Sequence, residues 1–191
     1  MKLALCLASL SLASCAALPS GSPVQDPSAA RENRISLYLG QRNLDEDDWA
    51  PVDEQATFGL EFSQERLGSA IGWEVGLMGS ADDDDVAGLD VEVTTGELYG
   101  GVRKTFGDGV VHPYVGGGLA LINLKADVSG VGDDDDGSAA GYAHGGVAFA
   151  VSESFFLGLD LRLLFGSDVT IAGFDSDADY GQLALLLGWS L

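Results

Sequence analysis

The chain has 191 residues, a length that suits one domain, and a formal net charge of −21. That excess of acid excludes nucleic acid as a partner, because phosphate binding needs a basic surface. Although 46% of the residues are hydrophobic, the body has no uninterrupted apolar run near the roughly 18–20 residues of a membrane-spanning helix.

Residues 1–18 read as an export signal: Lys2, an apolar stretch from Leu3 to Ala13, then small residues. Within it, Leu12-Ala13-Ser14-Cys15 resembles the lipobox of bacterial lipoproteins, which implies lipidation at Cys15. The alternative is ordinary signal cleavage near Ala16 or Ala17. Cys6 and Cys15 are the only cysteines, so the mature body has no disulfide and no thiolate cluster for a metal. Residues 19–33, with Pro19, Gly21, Pro23 and Pro27, have the composition of a flexible linker.

From Arg34 the chain alternates with a period of two, the mark of strands with two different faces. Ile35, Leu37 and Leu39 share one face of strand one, opposite Tyr38, Gly40 and Arg42. Strand two places Phe58, Leu60 and Phe62 against Thr57, Gly59 and Glu61; strand three places Trp73, Val75 and Leu77 against Gly72, Glu74 and Gly76. Strand four carries Leu98, Val102 and Phe106 outward and Glu97, Tyr99, Gly101 and Arg103 inward. In strand five Gly116-Gly117-Gly118 blurs the register, with Val115, Leu119 and Leu121 assigned outward. Strand six faces Val147, Phe149 and Val151 outward and His144, Gly146 and Ala148 inward. Strands seven and eight repeat the pattern most regularly. Phe155, Leu157, Leu159, Leu161, Leu163 and Phe165 face one way and Asp160 and Arg162 the other, then Leu183, Leu185, Leu187 and Trp189 oppose Gln182.

These segments predict an all-β fold, an eight-stranded antiparallel up-and-down transmembrane β-barrel spanning 34–191. Each apolar row covers about ten residues, the length a tilted strand needs to cross the hydrocarbon layer. Long acidic connections follow strands one, three, five and seven, and short turns follow two, four and six, which is the asymmetry of outer-membrane barrels. The four long connections, 44–55, 80–93, 127–138 and 166–179, hold 21 of the 30 acidic residues and no Lys or Arg. A soluble barrel with its apolar rows inside is the competing arrangement. The glycines at 40, 59, 72, 76, 101, 146 and 158 fall with the charged set, as a crowded lumen requires.

Tyr99-Gly100-Gly101-Val102-Arg103, Pro113-Tyr114-Val115-Gly116-Gly117-Gly118-Leu119 and the alternating last strand carry a resemblance to the small eight-stranded outer-membrane protein β-barrel family. That group contains the transmembrane domain of outer membrane protein A and the opacity-type adhesins. The resemblance implies a place in the bacterial outer membrane, contact with outer-membrane lipid and lipopolysaccharide, and delivery by the barrel-insertion machinery. Members commonly end on Phe, whereas this chain ends Trp189-Ser190-Leu191.

Two sets of residues are candidates for function. Arg42, Glu61, Glu74, Glu97, Arg103, His144, Asp160, Arg162 and Gln182 are expected to form a charged network filling the lumen, since an unpaired buried charge is costly. The second set is the acidic connections: Asp82, Asp83, Asp84 and Asp85; Asp133, Asp134, Asp135 and Asp136; and Asp175, Asp177 and Asp179. Closely spaced oxygens suit Ca²⁺. The last trio resembles the start of a calcium loop, with Gly181 one place late and no closing Glu. The bland reading is that these acids keep the loops solvated and mutually repelling. The expected role is therefore structural or surface-interacting, in a monomer with no cofactor beyond loop-bound Ca²⁺. A narrow ion path is the alternative. A lipid-modifying enzyme is a weaker one, because it needs a His facing lipid near the outer rim with a Ser in reach.

Overall fold

The computed structural model describes residues 31–45, 49–66, 71–86, 89–107, 109–130, 132–171 and 173–191. Cys15, the signal segment 1–18 and residues 19–30 of the linker lie outside them. Eight strands close the barrel: β1 (Arg31–Leu44), β2 (Glu54–Arg66), β3 (Gly72–Val86), β4 (Leu89–Thr105), β5 (Val111–Val128), β6 (Gly132–Ala150), β7 (Phe155–Phe165) and β10 (Tyr180–Ser190). A small hairpin, β8 (Val169–Ile171) with β9 (Phe174–Ser176), sits in the last long connection. All neighbouring barrel strands are antiparallel and follow chain order, and β1 pairs with both β2 and β10, which leaves no open edge in the belt.

The alternation read from the sequence assigns the two faces correctly. Leu161 is 63% exposed, while its neighbours Asp160 and Arg162 are 0% and 1% exposed. On β5 the glycine run does not shift the register: Val115, Leu119 and Leu121 face outward and Tyr114, Ala120 and Ile122 inward. The exposed belt of Leu, Phe, Val and Trp is the reverse of a soluble barrel. It is the surface expected against hydrocarbon, where closure also satisfies every backbone group.

Strand boundaries differ from the sequence reading in one systematic way. β1 starts at Arg31, inside the expected linker. More important, Asp82–Asp85 and Asp133–Asp136 lie within β3 and β6 rather than in loops. The ladder continues above the belt, with Asp83 opposite Glu92 and Asp127 opposite Asp133. Runs of aspartate show no apolar period, so they read as loop. Their backbone groups nonetheless bond to partners such as Val91 and Ala126, whose strands do alternate.

Candidate functional site

The nine charged and polar residues expected in the lumen meet there, each placed by the strand it belongs to. Towards the end with the short turns, Arg103 donates to Glu61 at 2.7 Å and lies 3.7 Å from Glu65. Its guanidinium stacks on the Tyr114 ring, 3.8 Å from the centroid. Tyr99 donates its hydroxyl to the other Glu61 oxygen at 3.1 Å. In the middle, His144 stands between two carboxylates: Nε2 is 3.0 Å from Glu74 and Nδ1 is 3.0 Å from Asp160. Tyr142 donates to Glu74 and Tyr114 to Asp160, both at 2.7 Å. Higher up, Glu97 receives Arg42 at 3.1 Å together with Arg162 and the Tyr180 hydroxyl. Arg42 also reaches Gln182 and Thr95, and Arg162 lies 4.0 Å from both the Tyr99 and the Tyr142 ring centroid.

Tyr114, Tyr142 and Tyr180, with Thr95 and Glu65, are partners that sequence reasoning missed. Strand parity could have found them, because each has the parity of an inward residue on its own strand: Tyr142 with His144, Tyr180 with Gln182, and Tyr114 opposite Val115. The glycines explain how so many large groups fit. A Cβ at Gly101 would lie 2.4 Å from the Tyr142 hydroxyl, and one at Gly116 would lie 2.3 Å from His144 Nε2 and 3.0 Å from Glu74. These strands give up side chains so that β3 and β6 can reach each other across them. Gly116→Ala is accordingly expected to cost about 1–3 kcal/mol by overpacking, measurable as a lower urea midpoint in lipid vesicles.

Above the network the lumen ends in an apolar cap. Leu44, Trp49, Val52, Val93, Leu124, Leu164, Val169 and Ala178 are buried together, and the Trp49 indole donates to the Asp177 carbonyl at 2.7 Å. A narrow ion path would have to breach this cap. His112 packs edge-on against Phe156 at 5.6 Å and His144 is luminal, so neither faces lipid near the outer rim as the enzymatic alternative requires.

The acidic set is arranged differently from what the sequence suggested. Asp83, Glu92, Asp127 and Asp133 stand directly opposite one another on four consecutive strands. All four are exposed on the outward face just above the apolar belt. Lys125, one pair below, bridges to Asp133 at 2.9 Å and holds that carboxyl below its usual range. Asp136 instead accepts the backbone N–H groups of Thr170 and Gly137 at 2.8 Å, which also lowers its pKa and ties β6 to the β8–β9 hairpin. Asp179 accepts from the Gly166 and Ser167 amides and the Ser167 hydroxyl, while Asp175 accepts from Thr170. Asp175 and Asp179 therefore hold their own loop together, while Asp177 presents its carbonyl to Trp49. Among the described residues, only Glu61, Glu74 and His144 bring three ligand atoms close together, all within 4.8 Å of one another.

A family model described as the outer membrane protein beta-barrel domain matches residues 3–190. No curated protein sequence matches the chain. Among solved structures, the attachment invasion locus protein Ail of Yersinia pestis superposes with a TM-score of 0.60 at 15% identity, covering 84% of this chain and 98% of that one. A major outer membrane protein from Thermus thermophilus gives 0.59 at 13%, covering 85% and 100%. The N-terminal β-barrel domain of Pseudomonas aeruginosa OprF gives 0.52 at 15%, also covering 85% and 100%. At such identities the likeness establishes the fold alone, whereas the match along nearly the whole chain establishes the family. With its closed eight-strand belt and apolar exterior, the chain belongs to the outer membrane protein β-barrel domain family and resides in the bacterial outer membrane.

Proposed function

We propose that this barrel has a structural and surface-interaction role, exercised through its acidic extracellular rim and strengthened by divalent cations. The observation that carries this reading is the row Asp83–Glu92–Asp127–Asp133. Like charges directly opposite in a sheet are destabilising, and here several follow one another with Lys125 as the neighbouring cation. A row of this kind gains from shared cations. The rim stands where the outer leaflet presents lipopolysaccharide, itself anionic, so a cation bridging rim and lipid would relieve repulsion on both sides. Oxygen ligands in an open row suit Ca²⁺ at weak, multi-site affinity better than a closed cage would. The outward face of β10, with Leu183, Leu185, Leu187 and Trp189, is the surface offered to the insertion machinery.

The test is thermal unfolding in vesicles with and without lipopolysaccharide as Ca²⁺ rises to millimolar levels. The unfolding temperature is expected to climb with Ca²⁺, and to climb further when lipopolysaccharide is present. Neutralising the row (Asp83→Asn, Glu92→Gln, Asp127→Asn, Asp133→Asn) should raise stability without Ca²⁺ and flatten the response. A wild-type response that survives all four changes would refute the row as the cation site.

A further inference from the structure

We propose that Glu61, Glu74 and His144 form a buried site for one divalent transition-metal ion of the zinc class, with Asp160 fixing the imidazole from behind. This is separate from the exposed rim. The three residues come from β2, β3 and β6 and are 1%, 2% and 6% exposed, and their ligand atoms lie within 4.8 Å of one another. Ligands bound to a single zinc at roughly 2.0–2.2 Å are themselves about 3–4 Å apart. The Glu74–His144 pair, at 3.0 Å, is already at that spacing. A shift of Glu61 completes the set.

Four features of the surroundings argue for a built site. First, a metal-bound imidazole usually donates its other nitrogen to a carboxylate, which sets the tautomer and aims the ring. Here Nδ1 meets Asp160 at 3.0 Å, leaving Nε2 towards the two glutamates. Second, each glutamate is itself steadied: Glu74 by the Tyr142 hydroxyl and Glu61 by Arg103 and Tyr99. Third, the remaining oxygen of Asp160, a residue with 0% exposure, has no hydrogen-bond partner among the described residues. Fourth, Gly116 leaves open the space beside Nε2 that any Cβ would fill.

Charge agrees with this placement. Across the network three guanidiniums (Arg42, Arg103, Arg162) face four carboxylates (Glu61, Glu74, Glu97, Asp160). With Arg34 paired separately to Glu32 and a neutral imidazole, these seven groups therefore keep one negative charge, centred on Glu74 and Asp160. A second ring proton is the competing occupant, and it would leave as the ion binds. Towards the short turns the lumen holds the polar Arg34, Ser36 and Ser63 beside the apolar Phe156 and Leu186. Ser36 stands directly across from Glu61, and the buried hydroxyls of Ser36 and Tyr38 have no partner among the described residues.

The experiment is metal analysis of the full-length barrel refolded in detergent micelles with Zn²⁺, then freed of loosely held ions by gel filtration. Close to one zinc per chain is expected, and Co²⁺ in its place should give ligand-field absorption bands. His144→Gln and Glu74→Gln, each confirmed as folded by heat-modifiable gel mobility, should lower the zinc content at least tenfold. Neutralising Asp83, Asp127 and Asp133 should leave it unchanged, which separates this site from the rim. Folded wild-type protein that retains no zinc would overturn the proposal and give the position to the second ring proton. So would zinc that stays with folded His144→Gln, or that vanishes with the rim acids. If neither lumen variant folds, absence of the Co²⁺ bands in the wild-type protein is decisive against it.

Discussion

Glu97→Gln is expected to lower the unfolding free energy of the barrel by about 3–5 kcal/mol, the usual consequence of removing one member of a buried ion pair. Glu97 is the only carboxylate that Arg42 and Arg162 reach with a salt bridge among the described residues, and all three side chains are fully buried. The substitution keeps the side-chain shape, so the loss reports charge and not a cavity. Two guanidiniums would remain inside with neutral partners: Gln182, Thr95 and the Met78 sulfur for Arg42, the Tyr180 hydroxyl for Arg162, and the tyrosine rings for both. Equilibrium urea unfolding in lipid vesicles measures the effect. Adding Arg162→Met to the variant should recover part of the loss, because one of the stranded charges is then gone. A single-variant loss below about 1 kcal/mol would mean that the network is more hydrated than its burial indicates.

Leu161→Arg tests the opposite face. Leu161 lies at the middle of β7, 63% exposed on the outer surface, where lipid replaces water. An arginine near the bilayer midplane costs about 2–4 kcal/mol, and the cost falls towards the interfaces. Leu183, its cross-strand neighbour on β10, gives no compensating charge. The same substitution at Phe165, one end of the strand, should cost at most about 1 kcal/mol. Equal effects at both positions would contradict a belt centred on Leu161.

The faces of the barrel were legible because hydrocarbon and lumen impose opposite demands on alternate residues. Leu157 to Phe165 and Leu183 to Trp189 satisfy those demands almost without exception. Strand ends were not legible where the membrane stops, since Asp82–Asp85 and Asp133–Asp136 continue a ladder that no longer has an apolar face to mark it. The charged lumen residues could be named from parity alone, but not their pairing. That Arg42 reaches Glu97 across the barrel, or that His144 meets Glu74 over Gly116, depends on strand tilt and on space left by glycines far away in sequence. The cap was missed for a related reason. Trp49 and Val52 lie in an acidic segment with no period, and only the return of the last connection over the mouth gives them something to cover.

The projecting acidic ladder also bears on how copies of this protein coexist. β2 accompanies β3 only as far as Ala81, and β7 accompanies β6 only as far as Gly141, so the strands rise beyond their neighbours on both sides. Barrels in one membrane stand with these projections at the same height, a setting in which flat strands would otherwise zip together from molecule to molecule. Successive aspartates on β3 and β6 disfavour such pairing, and on the β6 side the β8–β9 hairpin also covers part of the margin through Asp136 and Ser138. On the role proposed above, mutual avoidance between neighbouring copies would then rest on these same rim residues.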